Sequence, residues 1–275
     1  MAHWDKITSR GNVEDRRGAG PVMLGGIGTV GILVLVAMSF FGGNNSDIAQ
    51  VIDMLEQSQM NGYQNSLDTT EFQGEDDYET FVSSVLGSNN DLWGYLFTQN
   101  QLSYKEPRLV LFREQTSSAC GGADSRVGPH YCPLDQTIYL DETFFDELTQ
   151  RFGARGGDVA EAYVISHEVG HHIQKLLGTT DRVEQYGNSA SVALELQADC
   201  LAGMWMHSIA DAGVFETGEA LEAIDAAESV GDDRIQEATL GRSHPESWTH
   251  GSSEQRKMWL MKGIQYGDYS KCETR

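Results

Sequence analysis

Residues 167–171 read His-Glu-Val-Gly-His, inside an apolar-periodic stretch from Asp158 to Leu177 that predicts a helix closed by Gly178. Residues four apart share one helical face, so His167 and His171 reach toward one point. Glu168 lies about 100° around the helix from His167, near enough to touch a water at that point without being a ligand. Roughly 0.02 matches to H-E-x-x-H are expected by chance in a chain of this composition. Two imidazoles do not complete a catalytic zinc site. A third protein ligand is needed, with a fourth position open.

A second helical pattern, Ser189 to Ala212 before Gly213, carries Glu195 and Asp199 in ELQAD, again four apart. Val192, Leu196, Leu201 and Met204 flank that face and set the two carboxylates beside the core. Acids in such a place are costly unless something cationic meets them. A zinc ion would meet Glu195, and the N–H of a ligating imidazole would meet Asp199. The simpler alternative is a solvated acidic face.

Around this pair the chain has 275 residues, 40% hydrophobic and 9% aromatic, which argues against disorder and suffices for a core. With 41 acids against 19 Lys and Arg its net charge is −22, which repels phosphate backbones and excludes a basic nucleic-acid surface. Residues 21–43 (PVMLGGIGTVGILVLVAMSFFGG) are uncharged. Val22 to Phe41 as a helix would span about 30 Å, a hydrocarbon core. Lys6, Arg10, Arg16 and Arg17 precede it, and no Lys or Arg occurs from Asn44 to Tyr104. The positive-inside rule therefore expects a single-pass cell-membrane anchor with a cytoplasmic N-terminus and the remainder periplasmic or extracellular. A cleaved signal peptide is the rival reading, against which stand the length of the run and the lack of a clear A-x-A site after it. Gly26, Gly28 and Gly31 spell G-x-G-x-x-G, but inside an apolar run without a βαβ unit.

The expected organisation is a cytoplasmic tail over 1–20, a transmembrane anchor over 21–43, an acidic polar linker over 44–76, and a zinc-binding domain over 77–275. In that domain two amphipathic helical turns are expected around Gly87–Asn90. Strands are expected at Arg108–Arg113 and Gln136–Leu140, and helices at 158–177, 189–212, 216–229 and, after a Ser252-x-x-Gln255 capping box, 253–265. Helices outnumber strands, which is an α+β arrangement, mostly helical with a small sheet.

The stretches HEVGHH (167–172), ELQADCLAG (195–203), SACGGADSRVGPHYCP (118–133), DDRIQ (232–236) and THGSSEQR (249–256) make the chain resemble the bacterial neutral zinc metallopeptidases with one N-terminal membrane helix. The resemblance covers most of 77–275 and the anchor. It implies a zincin-like fold of the Glu-zincin kind, with Zn2+ held by His167, His171 and Glu195, Glu168 as catalytic carboxylate, and Asp199 behind the ligands. His130 departs from the aromatic residue usual before Tyr-Cys-Pro, and His244-Pro245 replaces an apolar-Pro pair.

The activity expected is peptide-bond hydrolysis of a peptide or protein substrate, with Glu168 exchanging the proton of the attacking water. A donor must also meet the developing oxyanion. His250 and Tyr139 are the candidates, ahead of His244 and Tyr131; His172 reads as a packing residue. The rival readings are a zinc amidase acting on cell-wall crosslinks and an inactive, metal-stabilised binding domain. The latter would have little need of Glu168. Four cysteines allow three pairings. Proximity favours Cys120–Cys132 and leaves Cys200–Cys272, with a free Cys200 thiol as the alternative.

Overall fold

The computed structural model describes residues 2–17, 70–71, 76–124, 128–181, 187–216 and 218–274. A five-stranded sheet is ordered β2-β1-β3-β7-β6, from β1 (Asn12–Asp15), β2 (Thr70–Glu71), β3 (Arg108–Phe112), β6 (His130–Cys132) and β7 (Thr137–Asp141). β1, β3 and β7 run parallel, while β2 and β6 are antiparallel edges. β4 (Gln115–Ser118) and β5 (Gly121–Asp124) form a separate hairpin. The helices are α1 (Asp77–Gln99), α2 (Phe144–Phe152), α3 (Asp158–Leu176), α4 (Asn188–Ala210), α5 (Ala220–Ser229), α6 (Asp232–Leu240) and α7 (Ser253–Tyr266). The expected α+β class, mostly helical with a small sheet, is what is seen.

Alternation along the strands divides the core. Val13, Leu109, Leu111, Ile138 and Leu140 join the main core with Tyr163, Ile165 and Val169 of α3 and with Trp205 of α4. Val110, Phe112 and Tyr139 gather with Ala123 and Cys132 in a smaller second cluster. α3 therefore lies among the helices on one side, and Tyr139 belongs to the other.

Two expectations change. The helical turns around Gly87–Asn90 are one continuous helix, α1, capped by Asp76, whose side chain accepts from the backbone N–H of Tyr78 and Glu79. Gly87 does not break it, because a Cβ there would lie 2.5 Å from the Arg10 backbone nitrogen. The glycine admits a crossing chain rather than a turn. That crossing chain is the second change: residues 2–17, read as a tail separate from 77–275, belong to the folded body. β1 pairs with β3 from Asn12↔Arg108 to Asp15↔Leu111. Ile7 and Val13 are buried, and Trp4 stacks against Trp205. The polar stretch NVED conceals this strand; Glu14 is buried but ion-paired with Arg16 and Arg108.

Both expected disulfides form, Cys120–Cys132 and Cys200–Cys272, and no free cysteine remains. Among the described residues no helix is long and apolar enough to cross a membrane. The anchor expected at 21–43 lies outside the described residues.

Candidate metal centre

α3 and α4 cross at two small residues, Gly170 and Ala198. A Cβ on Gly170 would lie 3.0 Å from Ala198 Cα, so the crossing is close at the residues preceding His171 and Asp199. The two helical faces read from the sequence thus meet. Ligand atoms of His167, His171 and Glu195 all lie within 4.8 Å of one another. His167 Nε2 is 3.2 Å from Glu195 Oε2, and His171 Nε2 is 3.4 Å from Glu195 Oε1.

The arrangement fits a zinc ion. Bonds of 2.0–2.1 Å in a tetrahedron separate neighbouring ligand atoms by about 3.3 Å, which matches both spacings. The tautomers fit as well. His167 Nδ1 lies 2.8 Å from Asp199 Oδ1, and His171 Nδ1 lies 2.9 Å from Gln174 Oε1. Each partner atom is an acceptor, so Nδ1 carries the proton on both rings and each Nε2 lone pair faces the shared point. The Gln174 amide is itself oriented, because its Nε2 donates to Leu194 O and Gln197 Oε1.

The electrostatics of the site are set by burial and by paired opposite charges. Burial alone would lower the His167 imidazole, but the Asp199 hydrogen bond, with Glu195, raises it to about 9. Glu195 is held well below the usual carboxylate range by the two imidazoles, which outweigh its burial. Glu168 is 6% exposed and its pKa is raised by burial, against the pull of His171 and His167. His171, His167 and Glu195 act on it through charge, and among the described residues none hydrogen-bonds it.

A family model described as "Putative neutral zinc metallopeptidase" matches residues 2–275. The chain belongs to this family. It is 39% identical over 286 residues to an uncharacterized protein, YpfJ, of Escherichia coli strain K12, covering 98% of each chain. It is also 45% identical over 184 residues to an uncharacterized protein, Rv2575, of Mycobacterium tuberculosis strain H37Rv, covering 62% of this chain and 63% of that one. No solved structure matches.

In this family member the remaining candidates are placed as follows. Asp199 is fully buried and bonded to His167, as sequence expected. His172 is also fully buried, with Nδ1 taking the Tyr131 hydroxyl at 2.9 Å and Nε2 donating to Lys105 O at 2.6 Å; burial lowers it to about 4, so it stays neutral. His250 is half-exposed and oriented by Asp232, whose Oδ1 is 3.1 Å from its Nδ1. Asp232 Oδ2 also accepts the backbone N–H of Thr249, His250 and Gly251. Tyr139 is not brought to the ligands: its hydroxyl donates to Asp135 Oδ2 at 2.9 Å, within the second cluster.

Sequence reasoning gave no role to Gln174, Tyr163, Asp232 or Arg256. Gln174 stands three residues after His171, on the ligand face, which is the one signal that could have found it. Tyr163 stands four residues before His167 on the same helix, so its spacing carried a signal as well. Asp232 and Arg256 reach the site from other elements, where spacing carries no information.

Proposed function

We propose that the chain is a zinc-dependent peptidase in which Glu168 moves the proton of the attacking water. One observation carries this reading. Glu168 is a buried carboxylate beside His167 that is not in the ligand group and, among the described residues, is not hydrogen-bonded, in a site where Glu195 and Asp199 both have partners. A domain that only stored metal would gain nothing from the cost of burying it.

When bound, zinc supplies Lewis acidity toward water and the scissile carbonyl. Glu168 accepts the water proton at its carboxylate and returns it to the departing amine. Burial suits this exchange, because a raised pKa brings the carboxylate nearer to the proton it must hold in transit. His250, with Nδ1 turned to Asp232, offers Nε2 as the oxyanion donor. A peptide substrate would lie extended along β6, the outermost strand beside α3, adding itself to the sheet edge. Membrane contact through residues 21–43 belongs to this proposal.

The test is cleavage of a peptide library by the zinc-loaded full chain. Glu168→Gln should keep zinc and fold while kcat falls by several orders of magnitude. His250→Gln should lower kcat by about 10²–10³ with little change in KM. Cleavage by Glu168→Gln at the parent rate would overturn the assignment.

A further inference from the structure

Arg256, in the first turn of α7, is 4% exposed, and its guanidinium faces the back of the metal centre. Nε donates to Asp199 Oδ2 and Nη2 to Asp199 Oδ1, both at 2.9 Å. The same Asp199 Oδ1 accepts the Tyr163 hydroxyl at 2.7 Å and His167 Nδ1–H at 2.8 Å. Nη2 stands 3.3 Å from His167 Nδ1 and 3.8 Å from Glu195 Oε2. One guanidinium on α7 thus borders a ligand on α3, a ligand on α4, and the carboxylate that joins them.

We propose that Arg256 is a positioning residue of the zinc site, acting through Asp199 to fix the His167 ring. This rests on the zinc reading above. The physical need is specific. A fully buried carboxylate with only neutral donors would be strongly disfavoured and would rotate to whichever donors served it best. A two-point guanidinium bond neutralises Asp199 and fixes its plane. Oδ1 is thereby held where it must accept the His167 proton, and Nε2 is left directed at the ion. A lysine would supply the charge but not the fork, so it would not define that plane.

The test uses the full chain with Zn2+ or Co2+ alone. Arg256→Lys should retain the fold but bind zinc about 10–100-fold more weakly, with an altered Co2+ visible spectrum and a smaller rise in melting temperature on zinc addition. The double variant Arg256→Gln with Asp199→Asn buries no unpaired charge and covers the case in which Arg256→Lys does not fold. It should bind zinc no more weakly than Asp199→Asn alone does, because the positioning effect of Arg256 runs through Asp199 and the single variant leaves its charge unpaired. Parent-like zinc affinity and Co2+ spectrum in Arg256→Lys would overturn the positioning role, as would a double variant much weaker than Asp199→Asn. A parent chain that binds no zinc would instead overturn the zinc reading itself.

Discussion

Arg17 Nη2 donates to Asp76 Oδ2 at 2.6 Å, so the two residues flanking most of the uncharged and acidic stretch lie side by side. Arg17 also bonds Asp15 at the end of β1 and Glu142 just after β7, which ties the junction into the sheet. A chain that crossed a bilayer of about 30 Å once between these residues could not make that bond. The arrangement predicts that the body and residues 2–17 share one compartment. Cysteines introduced at exposed Thr8 and Leu134 should react with a membrane-impermeant maleimide under the same condition, either both in intact cells or both only after permeabilisation. All four native cysteines are in disulfides and give no background. Labelling of one site without the other would contradict this arrangement.

The same packing makes the N-terminal segment structural. A fragment of residues 77–275 lacks β1 and the buried Ile7 and Val13, and leaves β3 with an unpaired edge. Burying two such side chains is worth about 3–6 kcal/mol, a large share of a domain's stability. The fragment should melt well below the full chain or fail to unfold cooperatively, as followed by circular dichroism. Melting at the full-length temperature would show that residues 2–17 are dispensable.

Gly170→Val should separate the metal site from the fold. Even a Cβ at 170 would stand 3.0–3.2 Å from Ala198 atoms, and the larger side chain drives α3 away from α4. Overpacking of this kind costs about 1–3 kcal/mol. The larger effect falls on zinc affinity, because His171 and Glu195 sit on opposite sides of the crossing. Calorimetric zinc titration should show at least tenfold weaker binding in a chain that still folds. Unchanged affinity would mean that the close crossing does not set the ligand spacing.

A pH effect is expected far from the ligands. The hydrogen bond to Asp15, together with burial, raises Glu79 from 4.5 to about 7, while Asp15 is lowered. Between those values the folded chain holds a proton on Glu79 that the unfolded chain releases. The stability this gives is full below about pH 4.5 and is lost as pH rises through 7. Glu79→Gln keeps a donor toward Asp15 and removes the titration. The variant should therefore gain melting temperature relative to the parent between about pH 5 and pH 8. An equal difference at both pH values would remove Glu79 from the titrating pair.

What the sequence disclosed is local in origin. HEVGH and ELQAD each place two functional groups one helical turn apart, so spacing alone predicted which atoms share a face. The capping box at Ser252 and Gln255 likewise predicted the start of α7. Features made by distant segments were not legible. Asn12–Asp15 has no apolar alternation because Glu14 is buried through arginine pairing, and Gly87 looks like a helix breaker until the Arg10 backbone is seen against it. Arg256 and Asp199 are 57 residues apart, and nothing in either neighbourhood signals the other. Tyr139 misled for a related reason: the strand was located, but its alternation turns that ring to the cluster opposite the helices.

The most direct measurement is zinc stoichiometry of the purified full chain by mass spectrometry under native conditions, compared with Glu195→Ala and Glu168→Gln. One zinc per chain in the parent and in Glu168→Gln, with loss of the metal in Glu195→Ala, is the predicted result. A parent chain without zinc, or a Glu195→Ala variant that retains it, would contradict a centre built from His167, His171 and Glu195.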